Sequence, residues 1–399
     1  MKPYEFINYL TEDFISDNYD DNYCLLFFPD HIRFDHNLTS TQNLFLSDKS
    51  SQGSKFATIT EEHERWRWLE RFNNGEDVSI EIFHSNEWVN TKYICVDYNV
   101  VELTQTLRYK NKYNFYQHSW EPIYFAFDKV LWDYVSSFKN QAVVLHSEKN
   151  SKDLLKLQQQ NITTLHWFSH AYLCSEFYFK HYQKLNMVTN YIKRPIRHKW
   201  MCVNRLIDGP RKYRLDFLNC IDTSKGIYSL LDKDPYTSRS LKEIYPNNAV
   251  KPNSFDSHEN HSAEIKVDEL TPWNTSFLHI VSETVWQEKI HFTEKVFKPI
   301  VLHQPFVVLQ APGSLAYLRS YGFKTFGDWW DESYDTIEDP DQRMQAIADI
   351  VDSIGAKSLE ELETMRMEMA SVLEHNFRHF YENIPAICLD ELRKGIATL

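Results

Sequence analysis

The sequence predicts an α/β protein of two doubly wound domains with a cleft between them, followed by a helical C-terminal tail. Three observations predict it. Strand-length apolar runs end in polar residues, a helix-length segment lies between two of them, and a second such series opens near residue 200. Buried parallel strands read as short continuous apolar runs, and strand–helix–strand alternation calls for a parallel sheet. On this reading the domains are 1–190 and 191–375, and the tail is 376–399. A chain of 399 residues exceeds one ordinary core and suits two.

Taken in order, YCLLFFPD (23–30), KYICVDYNVV (92–101), QAVVLHSEKN (141–150) and ITTLHWFSHA (162–171) are the strand candidates of the first half. SKDLLKLQQQ, with Leu154, Leu155 and Leu157, supplies the helix between the last two, and residues 172–190 read as another helix. NYIKRPIRHK (190–199) is a basic connector. The second unit starts with the strand WMCVN, a turn at Asp208-Gly209-Pro210 and a helix from about Arg211 that turns Leu215, Phe217 and Leu218 inward. Residues 239–273, polar and rich in Asn, Ser and Pro, read as a long surface excursion.

SFLHIVSET, TEKVFKPI and PFVVLQ resume the alternation, and a short helix from Ser314 to Tyr321 stops at Gly322. Asp339-Pro340 opens a helix with the stripe Met344, Ile347, Val351 and Ile354, ended by Gly355. Ser358 and Glu361 form a capping box for a last helix reaching about Tyr381.

Composition limits the function. With 43 basic and 56 acidic residues the net charge is −13, which disfavours non-specific binding to polyanions. The six scattered cysteines, without a C-x-x-C pair, read as reduced thiols. MKPYEFINYLTEDF lacks the apolar core of a signal peptide, and no run is long enough to insert in a membrane. The expected location is the cytoplasm, that of a host if the protein is viral. None of the nine glycines is spaced G-x-G, so neither a dinucleotide fingerprint nor a P-loop is present.

Phosphate binding would therefore fall to side chains and a helix terminus, and residues 283–295 offer both. Thr293 stands where a helix begins, which leaves backbone N–H groups and the positive end of the helix dipole facing outward. Lys295 adds a full charge there, making a seat for a diphosphate, and Pro299 should kink the helix soon after its start. Glu283 and Glu294 are placed to accept hydrogen bonds from ribose or sugar hydroxyls. An ordinary surface helix with a Glu–Lys pair is the competing explanation.

Asn204 and Arg205 follow a strand, where open α/β sheets bind ligands, and Arg211 and Arg214 stand on the next helix. A solvated basic helix face explains Arg211 better than Arg205. In the first half, Glu148 follows a buried strand and is the candidate general base. His170 is its rival, with a core histidine as the alternative account. The two D-x-D sequences, Asp232–Asp234 and Asp339–Asp341, lie in turn and capping contexts, and His258 and His261 have no partner pair. No metal site is expected.

The order LHIVSET, FTEKVFKPI, PFVVL, APGSLAYLRSYGFKTF resembles the donor-binding half of fucosyltransferase-like glycosyltransferases. HSEKNS, HWFSHA, VNR…RKYRL and GDWWDESYD…DPDQR extend the likeness to glycosyltransferase-like proteins of large tailed phages and marine viruses, over roughly residues 140–345. The resemblance implies a GT-B architecture of two Rossmann-like domains. It implies a nucleotide-sugar co-substrate, no other cofactor, and an acceptor hydroxyl on a glycan, protein or modified DNA base. Arg205 and Lys295 would hold the donor diphosphate without an obligatory metal, and Glu283 and Glu294 would meet its hydroxyls. The continuation Phe-Lys-Pro after Thr-Glu-Lys departs from the fucosyltransferase pattern. A phage enzyme glycosylating hydroxymethylated bases in DNA is the alternative within this class. A carbohydrate- or nucleotide-binding protein without catalysis is the alternative outside it.

Overall fold

The computed structural model describes residues 122–123, 142–182, 191–234, 238–253, 265 and 271–398, with five short strands further upstream. The chain forms two compact units, Met1–Leu173 with Cys388–Leu399 and Cys174–Ile387. Both are α/β and contain parallel strand pairs.

In the first unit β1 (Leu25–Leu26) pairs in parallel with β2 (Phe56–Ala57). A second sheet runs in the order β3 (Val96–Asp97), β4 (Val101–Thr104), β5 (Asn114–Gln117), β6 (Ala142–His146) and β7 (Thr163–His166). Its first two pairings are antiparallel and its last two parallel. The helix α1 (Lys152–Gln159) links β6 to β7 as expected, burying Leu154 and Leu157 and leaving Leu155 exposed. Gly395, from the chain's end, lies so close to Leu165 that an added Cβ would meet its side chain at 2.8 Å.

ITTLHWFSHA is strand only to His166: α2 spans Ser169–Tyr182, so His170 lies in a helix's first turn. Most of YCLLFFPD and KYICVDYNVV, the end of the helix expected over 172–190, and His258 and His261 lie outside the described residues.

The second unit is a four-stranded parallel sheet of β8 (His198–Val203), β9 (Ile227–Ser229), β10 (Ser276–Ser282) and β11 (Phe306–Leu309). Its order is β11-β10-β8-β9. Every residue of β10 and β11 is buried; β11 is an unbroken apolar run, and β10 is apolar except at Ser276, His279 and Ser282. From β8 the chain steps outward to β9, then returns across β8 to β10 and continues to β11. The winding direction therefore reverses between β8 and β10. In open α/β sheets that reversal opens a crevice outside the carboxyl ends of the two strands.

Around this sheet lie α3 (Tyr213–Cys220), α4 (Leu241–Ile244), α5 (Pro272–Thr275), α6 (Glu294–Val301), α7 (Ser314–Ser320) and α8 (Pro340–Ala356). Then come α9 (Leu359–Glu368) and α10 (Ala370–Glu382), and last α11 (Ile384–Ala397), which from Cys388 onward belongs to the first unit. Asp339 caps α8 through the Asp341 and Gln342 N–H groups, and the Ser358–Glu361 capping box forms.

Three local expectations are corrected. Gly355 does not end α8, which runs one residue further, and the Gly355 carbonyl accepts the Lys199 ammonium at 2.6 Å. The helix expected from Ser358 to Tyr381 breaks at Met369, where the backbone N–H reaches both the Met365 and Met367 carbonyls in a tightened turn. Part of the 239–273 excursion is ordered by α4, whose capping box pairs Ser240 with Glu243. Pro299 lies inside α6, which ends two residues later at Val301.

Candidate functional site

The loops leaving β8 and β10 hold the residues expected to bind a ligand. Asn204, fully buried, exchanges hydrogen bonds with Ser229: its N–H donates to Oγ at 2.9 Å, and that hydroxyl donates back to its carbonyl at 3.1 Å. Its Nδ2 donates to Cys202 Sγ at 3.3 Å, and its Oδ1 has no hydrogen-bond partner among the described residues. Arg205 is half-buried, and its Nε likewise has no partner there.

The loop carrying Arg205 is held rigidly. Asp234 Oδ2 accepts the Ile207 and Asp208 N–H groups at 3.1 and 3.2 Å, and Arg239 bonds both Asp208 carboxylate oxygens. Gly209 then takes φ +60°, a turn conformation few other residues adopt without strain. The Asp232–Asp234 sequence thus pins a loop.

Arg214 is buried on α3. Its guanidinium donates to the carbonyls of Leu206 (2.9 Å), Ser282 (3.2 Å) and Glu283 (2.9 Å), tying the loop after β8 to the end of β10. Tyr213 donates to the same Glu283 carbonyl. Burial pushes the Tyr213 phenol up to about 12, so it keeps its proton. Its ring stacks on Trp286 at 5.4 Å, and Arg343 lies 4.3 Å above Trp286 while donating to the Trp286 carbonyl. This column braces the loop from β10 to α6.

That loop delivers Glu283, Thr293, Glu294 and Lys295 into one cluster. Thr293 caps α6 by accepting the Lys295 N–H at 3.4 Å. Its hydroxyl also accepts the Lys295 ammonium at 2.9 Å and donates to Glu283 Oε2 at 2.7 Å, while its N–H donates to Glu283 Oε1 at 3.2 Å. Lys295 Nζ forms an ion pair with Glu294 at 3.2 Å and reaches Thr284 Oγ1 at 3.4 Å. Its side chain is 25% exposed, whereas Glu283 has no exposed surface.

The two carboxyls respond oppositely to similar surroundings. Burial dominates at Glu283 and pushes its pKa up, against the pull of Lys295 and Thr293. Burial would raise Glu294 too, but Lys295, Lys298 and a backbone N–H at the helix start hold it down at about 2. Glu294 has a second lysine one turn along α6, whereas Glu283 has the Glu294 carboxylate beside it.

In the first unit, Glu148 lies just past β6 and is 2% exposed. Its carboxylate accepts the Ile123 N–H, and its own N–H donates to His146 Nδ1 at 3.2 Å. His170 is fully buried and shares a hydrogen bond with Ser147 Oγ at 2.9 Å. His166 Nδ1 meets Glu391 Oε1 at 2.9 Å, and the other oxygen of Glu391 accepts the Phe168 N–H at 2.9 Å. Burial lowers the His166 pKa despite that carboxylate.

Sequence reading did not select Ser147, His166, Ser229, Thr284 or Glu391. Ser147 and Thr284 adjoin residues it did select and were open to discovery. Glu391 carried no signal, since it meets His166 only through folding.

Comparison of the chain with protein-family models, curated proteins and solved structures gives no match. Among the described residues no group of three or more His, Cys, Asp or Glu side chains is placed to hold a metal ion. Nor is any described helix long and apolar enough to cross a membrane.

Proposed function

We propose that the protein is a glycosyltransferase of GT-B type that moves a sugar from a nucleotide-sugar donor to an acceptor hydroxyl. One observation carries the reading: Arg205 stands on the loop that leaves β8, and Lys295 stands in the first turn of α6, to which the loop leaving β10 leads; the winding reverses between those two strands. A diphosphate in that crevice meets a guanidinium from the loop after β8 and an ammonium from the start of α6. Glu294, at the start of α6, provides an acceptor for the donor's hydroxyls.

The chemistry asked of these groups is limited. As the acceptor oxygen bonds to the anomeric carbon, the bond from that carbon to the diphosphate oxygen breaks. The charge that develops on the leaving group is stabilised by Lys295 and Arg205. The acceptor's proton passes to a base, which we assign to Glu148, with His170 as the next candidate.

Thermal melting with a panel of nucleoside diphosphates and nucleotide sugars tests the donor site. A ligand at a hundred times its dissociation constant should stabilise the protein by about 2.7 kcal/mol. A flat response across the panel would sink the reading.

A further inference from the structure

The hydroxyl of Thr293 poses a counting problem with one solution. A threonine hydroxyl has one proton to donate and two lone pairs with which to accept. Two groups near it can only donate, the Lys295 ammonium at 2.9 Å and the Lys295 N–H at 3.4 Å. They occupy both lone pairs, so the hydroxyl proton goes to Glu283 Oε2 at 2.7 Å. Glu283 Oε1 meets a second donor, the Thr293 N–H. Both carboxylate oxygens thus face Thr293, the Glu283 carbonyl is held by Tyr213 and Arg214, and the residue has no exposed surface to offer a ligand.

We propose that Glu283 is a positioning residue: it orients the Thr293 hydroxyl so that this hydroxyl's lone pairs hold the Lys295 ammonium at the start of α6. The inference rests on the reading above, in which Lys295 meets a diphosphate. It assigns Glu283 a role through Thr293 in place of direct contact with sugar or ribose hydroxyls. Glutamine cannot substitute, because it has one acceptor oxygen for two donors. Whichever way its amide turns, an NH₂ faces either the Thr293 N–H or the hydroxyl already filled by lysine donors.

Inorganic pyrophosphate separates the two roles, since it carries diphosphate charge without ribose, sugar or base. Calorimetric titration of the full chain would compare wild type, Glu283→Gln, Thr293→Val and Thr293→Ser, with pyrophosphate and with uridine and guanosine diphosphates. Positioning predicts that Glu283→Gln and Thr293→Val weaken pyrophosphate and the nucleotides by the same factor, about tenfold. Thr293→Ser, which keeps the hydroxyl, should bind pyrophosphate more tightly than Thr293→Val.

Unchanged pyrophosphate affinity in Glu283→Gln, with weakened nucleotide binding, would place Glu283 on the nucleoside and overturn the proposal. If Glu283→Gln does not fold, the two Thr293 variants decide. If wild type binds neither probe, the diphosphate reading fails by itself, and a ligand-free measurement decides the positioning role. That measurement is the acylation rate of Lys295 by an amine-reactive ester, read by peptide mass spectrometry. A faster rate in Glu283→Gln and Thr293→Val supports positioning, and an unchanged rate overturns it.

Discussion

At the carboxyl ends of β8 and β10 the second unit gathers Asn204, Arg205, Glu283, Thr293, Glu294 and Lys295. At the ends of β6 and β7 the first unit gathers His146, Ser147, Glu148 and His166, with His170 following on α2. The former set holds two cations, Arg205 on the loop after β8 and Lys295 at the start of α6. The latter is made of imidazoles, a hydroxyl and a carboxylate.

A second contrast lies inside the second unit. The start of α7 is closed by a carboxylate: Asp335 accepts the Leu315 and Ala316 N–H groups at 2.8 and 2.9 Å and the Ser314 hydroxyl at 3.2 Å. The start of α6 is capped by the uncharged Thr293 hydroxyl instead. A carboxylate across the first helix N–H groups fills an anion seat, as Asp335 does at α7; at α6 a hydroxyl is the cap, the Glu294 carboxylate meets a backbone N–H, and Lys295 and Lys298 add positive charge. The two helix starts thus differ both in the residue that caps them and in the charges beside the cap.

The largest expected effect tests proton handling against charge holding. Glu148→Gln should lower sugar transfer by about 10²–10⁴-fold while the diphosphate affinity stays unchanged. Lys295→Ala should lower both, the affinity by about tenfold or more. Transfer assays paired with calorimetric titration check the pair, and equal losses of affinity in the two variants would erase the distinction.

A smaller effect is expected at α7. Asp335→Ala should destabilise the protein by about 2 kcal/mol through its lost cap, read as a drop in Tm, without weakening diphosphate binding. A loss of affinity there would show that the two helix starts are not independent.

The smallest effect concerns acid. Burial holds the folded-state pKa of His166 below its ordinary 6.5, so its stability contribution is present above that value and fades as pH falls through the folded one. Glu294, held at about 2, contributes fully above its ordinary 4.5 and loses that contribution as pH falls toward 2. Glu283, raised by burial, has the opposite sign: its contribution is full below 4.5 and declines as pH rises through its folded value. Acidification should therefore loosen the surroundings of His166 at a higher pH than those of Glu294. Hydrogen exchange at the Leu165 and Val296 amides between pH 7 and 3 measures the order, and simultaneous loosening would contradict it.

What the sequence determined by itself is local. The predominantly apolar strands β10 and β11, the Thr293 cap, the Asp339-Pro340 start and the Ser358–Glu361 box are written in neighbouring residues, because periodicity and capping act within one or two turns. The Ser240–Glu243 box was equally readable but lay in a segment whose composition suggested a loop. The three residues of β9 were too few for a period to show, and without β9 the strand order cannot be derived.

Only tertiary structure decided that β8 and β10 are neighbours across a reversal of winding, so that the loop carrying Arg205 and the loop leading to Lys295 on α6 leave adjacent strands. It alone placed Glu391 on His166, Asp335 on α7, and Tyr213 and Arg214 on the Glu283 carbonyl. These partners are separated by 19 to 225 residues. Nothing local specifies such pairs; they are selected by burial, which makes an unpaired polar group costly wherever the fold brings it inside.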